Sequence, residues 1–170
     1  MVQARWVKPP FQTIKVNCEG AWCSRTGIGG FGWVARDFAG IFHRAGGVGV
    51  VFCGSSLIAE VESVRWGLLA CMEKGYGRVQ IETNSKFLVE MLNGLLLSEA
   101  SIEGILWDIE FSRNQLEFVE FLYTPRAYNE AAHLVAQFVT RMGGSHLWDC
   151  LEPEWLFNTL AIDVNIYVRI

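Results

Sequence analysis

The chain has 170 residues, of which 51% are apolar and 13% aromatic, enough for one domain with a substantial core and too apolar for a disordered segment. Its formal net charge is −4 and its pI near 5.4, which excludes a broad basic surface. Nonspecific nucleic-acid affinity comes largely from basic residues that release counterions from phosphates, so any such contact here is expected to be local and weak.

No apolar run is long and uninterrupted enough to span a bilayer, and Met1 to Pro10 has no apolar signal region. The sequence therefore reads as a soluble, intracellular protein of the cytoplasm or nucleus, with no membrane partner. Cys18, Cys23, Cys53, Cys71 and Cys150 form no C-x-x-C pair and sit mostly in apolar runs. That pattern predicts buried, reduced thiols rather than a zinc site.

Val2 to Gln12, with Pro9-Pro10, reads as an irregular leader. Lys15 to Trp22 then alternates Val16 and Cys18 with Lys15, Asn17 and Glu19, the period of a strand with two unlike faces. Glycines at 27, 29 and 30 predict a turn, after which Phe31 to Arg36 forms a second, antiparallel strand. Phe38-Ala39-Gly40 predicts another turn, and Ile41 to Phe52 a third strand. Ser55-Ser56 offers a helix start, with Val61, Val64, Leu68 and Met72 at helical spacing up to Lys74-Gly75. Arg78 to Thr83 is a fourth strand, placed beside the first. Ser85 caps a helix through Leu88, Leu92 and Leu95, and Ile102 to Phe111 forms another. Leu116 to Tyr123 is the fifth strand, and a last helix runs from Asn129 to Gly143-Gly144. Pro153 to Leu160 is read as a short helix.

The expected architecture is α/β: a mixed five-stranded sheet, three antiparallel strands followed by two parallel ones, flanked by helices. Residues 1–148 form the domain with its leader, and 149–170 a tail docking on it.

Five segments carry a resemblance: KVNCEGAW, GIGGFGWVARD, SSLIAEVESVRWGLLACMEKG, VQIETNS and TPRAYNEAAHLVA. In this order they resemble the ribonuclease H-like domain of plant retroelement-derived, reverse-transcriptase-like proteins, from about Trp6 to Trp148. PEWLFNTLAID resembles that group's usual tail. The resemblance implies a site where four acids hold two magnesium ions that cut the RNA strand of an RNA–DNA hybrid. Carried over, the first acid falls on Glu19, in N-C-E-G-A where the family has N-x-D-G-A. The second falls on Glu60, in an intact A-E-V-E-S. The third falls on Asn84, where E-x-D-S has become E-T-N-S. The fourth falls on His133, as in many plant members. Glu19, Glu60, Asn84 and His133 are thus the candidate catalytic positions, with Glu19 and Glu60 as metal ligands. Asn17, Arg126 and Asn129 complete the set as nucleic-acid contacts.

Asn84 is also a natural helix-entry residue beside Ser85, and His133 an ordinary half-buried imidazole. Glu82 points the same way as Asn84, so it is either a substitute acid or a buried, paired carboxylate. Trp22, Trp33, Trp66 and Trp107 are read as core rather than base-stacking platforms. Arg25, Arg36, Arg44 and Arg126 are too scattered to make a patch. Ser98 to Glu117, where bacterial relatives carry a basic handle, has more acids than bases. The leading expectation is a ribonuclease H-like nucleic-acid-binding domain with a degraded two-metal site, its cofactor Mg2+ or Mn2+ if active and none otherwise. The alternatives are an active hybrid ribonuclease and a protein-interaction module that keeps only the fold; the expected partners are an RNA–DNA hybrid or other nucleic acid, bound weakly, and a protein.

Overall fold

In the computed structural model, which describes residues 6–149 and 153–164, the first alternating stretch becomes β1 (Ile14–Trp22), with its first six residues buried. β2 (Ile28–Arg36) and β3 (Phe42–Phe52) follow it antiparallel, while β4 (Arg78–Thr83) pairs parallel with β1 and β5 (Phe118–Tyr123) parallel with β4. A sixth strand, β6 (Gly144–Trp148), adds antiparallel to β3, so the order across the sheet is β5-β4-β1-β2-β3-β6. This corrects the expected five strands. β6 is short and follows Gly143 and Gly144, both at positive φ, a pattern that reads along the chain as a helix stop and nothing more.

Helices cover both faces. On one face lie α1 (Ser56–Glu73), α2 (Lys86–Leu92) and α3 (Glu103–Arg113), which contribute Val61, Val64 and Leu68, Leu88 and Met91, and Ile109 respectively to a core with Val16, Ile81 and Phe121. On the other, α4 (Glu130–Met142) and α5 (Glu154–Asp163) bury Val135, Val139, Leu156 and Leu160 against Val34 and Ala45. α1 starts as expected, with Ser55 Oγ accepting from the Ile58 amide. α2 stops at Leu92, short of Leu95, because Gly94 adopts φ +73° and turns the chain out, leaving Leu97 exposed.

Gly27 (φ +68°) makes the first turn, but Gly29 and Gly30 lie inside β2 rather than in that turn. Part of the reason is α4: a β-carbon on Gly30 would run into Thr140, and one on Gly32 of the same strand would fall 2.7 Å from Val135 Cγ1 and 2.8 Å from the Ala136 amide nitrogen. Glycines in β2 and β3 therefore let α4 lie nearly on the sheet backbone, which covers the polar face of β1.

That face is buried, and its side chains are paired with one another, although Arg36 Nε and one oxygen of Glu19 are left without a hydrogen bond among the described residues. Lys15 Nζ lies 2.9 Å from Glu82 Oε2, and Asn17 Nδ2 donates to Glu82 Oε1 (3.0 Å) and to Asn129 Oδ1 (2.9 Å). Trp6 Nε1 and Arg36 Nη2 donate to Asn17 Oδ1, and Arg36 pairs with Asp163 of α5 at 2.7 Å. Burying such groups is tolerable only because each is paired.

Cys18, Cys53 and Cys71 are buried as expected, whereas Cys23 is exposed at the β1–β2 turn; Cys150, like the outer parts of the leader and tail, lies outside the described residues. Trp33 is core, but Trp66 and Trp107 are exposed, correcting the expectation for those two.

Candidate functional site

Glu19 stands near the end of β1 on the face covered by α4, and is 7% exposed. Gly20 lets α1 approach: a β-carbon there would lie 2.5 Å from the Glu60 amide nitrogen. Glu60, at the end of the first turn of α1, is thereby brought to the same place. Burial pushes the Glu60 carboxyl above its ordinary pKa, a hydrogen bond with Ser85 pulls it partly back, and the charge of Glu19 pushes it up again. The Glu19 carboxyl is also raised, by burial first, with His133 and Arg126 opposing and Glu130 adding to the rise.

His133 projects from α4, with Nδ1 2.8 Å from Glu19 Oε1, and Arg126 Nη2 lies 2.8 Å from Nε2 of the same ring. A guanidinium has only donors, so in this contact Arg126 donates to Nε2, and Nδ1 is the ring nitrogen facing the Glu19 carboxylate. Arg126, Nε2, Nδ1 and Glu19 form one hydrogen-bonded chain. The second carboxylate oxygen, Glu19 Oε2, is buried with no hydrogen-bond partner among the described residues.

Asn84 is half-buried and follows Thr83, which pairs with Cys18, so continuing the parallel register by one residue puts Asn84 beside Glu19. The cap of α2 is Ser85, whose Oγ accepts from the Leu88 amide, and not Asn84. Of the four candidate catalytic residues the fold thus joins Glu19, Glu60 and His133, with Asn84 alongside by register.

Among the nucleic-acid candidates, Arg126 is exposed beside the site, but Asn17 and Asn129 are buried at 0% and 1% and bonded to each other. Asn129 Nδ2 also donates to the Cys18 carbonyl, tying the start of α4 to β1. Glu82 has both oxygens engaged, by Lys15 and Asn17, and is the paired carboxylate rather than a substitute acid. Of the four arginines weighed for phosphate contact, Arg36 and Arg44 are buried in ion pairs, leaving Arg25 and Arg126 exposed. Among the described residues no group of three His, Cys, Asp or Glu side chains is arranged to hold a metal ion. No described helix is long and apolar enough to cross a membrane.

The sequence reading missed Ser85, Glu130 and the Arg126–His133 contact as parts of this site. Only the S-x-x-L start of α2 hinted at Ser85. Nothing in the spacing of Arg126 and His133 marks their contact, which depends on a 3-10 turn at Arg126–Tyr128 feeding α4.

A family model described as reverse transcriptase-like matches residues 17–139. The chain is 33% identical over 87 residues to an Arabidopsis thaliana protein provisionally named a ribonuclease H protein, a match covering 51% of this chain and 14% of that protein's length. The fold is similar to ribonuclease H1 of the archaeon Halobacterium salinarum, with TM-score 0.70, 19% identity, and 75% of this chain and 96% of that one covered. It is equally similar to LC11 ribonuclease H1 solved in complex with an RNA/DNA hybrid, with TM-score 0.70, 18% identity, and 76% and 97% covered.

Proposed function

The chain belongs to the reverse transcriptase-like family and has the ribonuclease H-like fold, and from that premise we propose that it binds an RNA–DNA hybrid or related nucleic acid across the Glu19, Glu60, Asn84 and His133 cleft while cleaving it weakly or not at all. Binding is supported by the likeness to LC11 ribonuclease H1, which was solved with a hybrid bound, and by the exposed Arg126 beside the cleft. The chain spans a small part of its plant relative, so the activity of any longer protein is part of this proposal as well.

Two-cation hydrolysis needs carboxylates to offset the mutual repulsion of the ions. Of the four positions only Glu19 and Glu60 carry one, and Glu19 Oε1 is already taken by His133. Both ring nitrogens of His133 are engaged, and the permanent positive charge of Arg126 stands against the ring. At an effective dielectric near 20, one unit charge about 4 Å from a divalent ion is worth up to roughly 8 kcal/mol gross. Even a quarter of that, about 2 kcal/mol, changes occupancy about thirtyfold. The unpartnered Glu19 Oε2 with Glu60 fits at most one ion, Mg2+ or Mn2+, and the residues present do not fit a pair.

The hydrogen-bonded chain from Arg126 through His133 to Glu19 carries this reading, because it puts an internal cation beside a carboxylate otherwise available to metal. The test is fluorescence anisotropy with a labelled hybrid in chelator, together with a cleavage assay in Mg2+ and in Mn2+. Salt-dependent binding without metal and slow or absent cleavage are expected. Robust turnover lost in Glu60→Ala overturns the claim of impairment, and absence of binding at low salt overturns the claim of hybrid recognition.

A further inference from the structure

The surface where α1 meets α3 on one side and β3 and β6 on the other carries large apolar side chains that the cleft does not use. Trp107 is 71% exposed, Phe111 57%, Leu147 of β6 53% and Trp66 40%. Trp107 and Phe111, four residues apart on α3, lie nearly parallel with ring centroids 6.4 Å apart. Between these side chains lie two cavities of about 260 and 340 Å³, one against Trp66 and Leu147, the other against Trp107 and Phe111. Leu69 of α1 lines both, so the two adjoin across that helix, and together they make a trough. Each is at or below the low end of small-ligand pockets, a size suited to single anchor side chains of a helix laid into a groove.

The charge around the trough selects the occupant. Leaving aside Glu60, which faces the cleft, α1 and α3 carry five acids, Glu62, Glu73, Glu103, Asp108 and Glu110, and two arginines. Both arginines are already paired, Arg65 with Glu62 and Asp108, and Arg113 with Glu110, and Glu73 is paired with Arg44 of β3, which still leaves more acids than bases. The surplus is negative. A nucleic acid stacking on Trp107 and Phe111 would bring phosphates against it, and a second copy of this face would bring acids against acids, both unfavourable. A basic partner meets no such repulsion.

We propose that the trough from Leu147 across Leu69 to Trp107 and Phe111 docks a basic amphipathic helix of a partner protein, with apolar anchors at helical spacing in the two cavities and lysines or arginines against the acidic rim. This interaction is separate from the cleft and survives or fails independently of hybrid binding.

The test is anisotropy titration of a labelled synthetic helical peptide of about 18 residues, leucines on one face and lysines on the other. Its comparators are a peptide with glutamates for lysines and a scrambled peptide of the same composition. The lysine peptide is expected to bind at least about tenfold more tightly than either comparator, and to lose about tenfold or more on the protein variant Trp107→Ala/Phe111→Ala. Both residues are exposed, so the variant should keep its circular dichroism and melting temperature. Equal binding of the scrambled peptide, unchanged binding by the double variant, or a dimer that this variant dissociates would each overturn the proposal. So would a single-stranded oligonucleotide that binds here and is displaced by the double substitution.

Discussion

Asn84→Asp tests the charge argument most directly, since it adds one carboxylate beside Glu19 and Glu60 without changing side-chain size. In the folded chain Glu19 is 7% exposed and both carboxyls are already raised by burial, Glu60 further by the charge of Glu19. A third negative charge increases that repulsion, so in chelator the variant should melt below the parent. A divalent ion reverses the sign. Taking about a quarter of the roughly 8 kcal/mol gross attraction at 4 Å and effective dielectric 20, about 2 kcal/mol of extra ion affinity is expected. At saturation that corresponds to a rise of about 4–8 °C in melting temperature for a chain of this size. Differential scanning calorimetry with and without Mn2+ reads the effect, and isothermal titration should show an ion binding about thirtyfold more tightly than in the parent. If Asn84→Asp melts like the parent in chelator and gains nothing from Mn2+, Asn84 does not face the carboxylates and the reasoning fails.

Three further outcomes follow from the same geometry. Because burial raises the Glu60 and Glu19 carboxyls, the folded state binds more protons than the unfolded one between the ordinary carboxylate pKa and the raised values, so these groups make stability fall as pH rises through that window. Glu60→Gln should flatten this slope and melt higher than the parent at pH 7, as read by thermal melts from pH 4 to 8; an unchanged slope would show that Glu60 is not buried against Glu19. Arg126→Ala should weaken hybrid binding and lower the slope of log affinity against log salt by about one, since Arg126 is the exposed cation beside the cleft; an unaltered salt slope would exclude it as a phosphate contact. Gly20→Ala should cost about 1–3 kcal/mol or more in urea unfolding, because the new β-carbon falls 2.5 Å from backbone atoms of Ala59 and Glu60, and a variant as stable as the parent would contradict that close packing.

Much of the fold was legible along the chain because strand and helix leave different periods. The two-residue alternation of β1 and the three-to-four spacing of α1 are local, as is the Ser55 cap, whereas the stop of α2 before Gly94 was not read. The order of motifs likewise brought out Glu19, Glu60, Asn84 and His133 as one set. β6 was not legible, since five residues at a sheet edge have meaning only beside Ala45 to Gly49 of β3. Nor was the exposure of Trp66 and Trp107, whose spacing is the same whether a helix face meets the core or solvent.

What the sequence alone determined is therefore most of the elements, their order and the residues proposed for the candidate site, because these depend on neighbours a few residues away. The tertiary structure decided what those groups touch. Docking α4 on the glycine-lined sheet turned Lys15, Asn17, Glu82 and Asn129 from polar strand and helix residues into a buried, mutually paired row. The same docking brought His133 to Glu19 across 114 positions of chain, with Arg126 on its far side. Those contacts arise from the way two surfaces fit, and no period in the chain encodes which face of a helix will meet which face of a sheet.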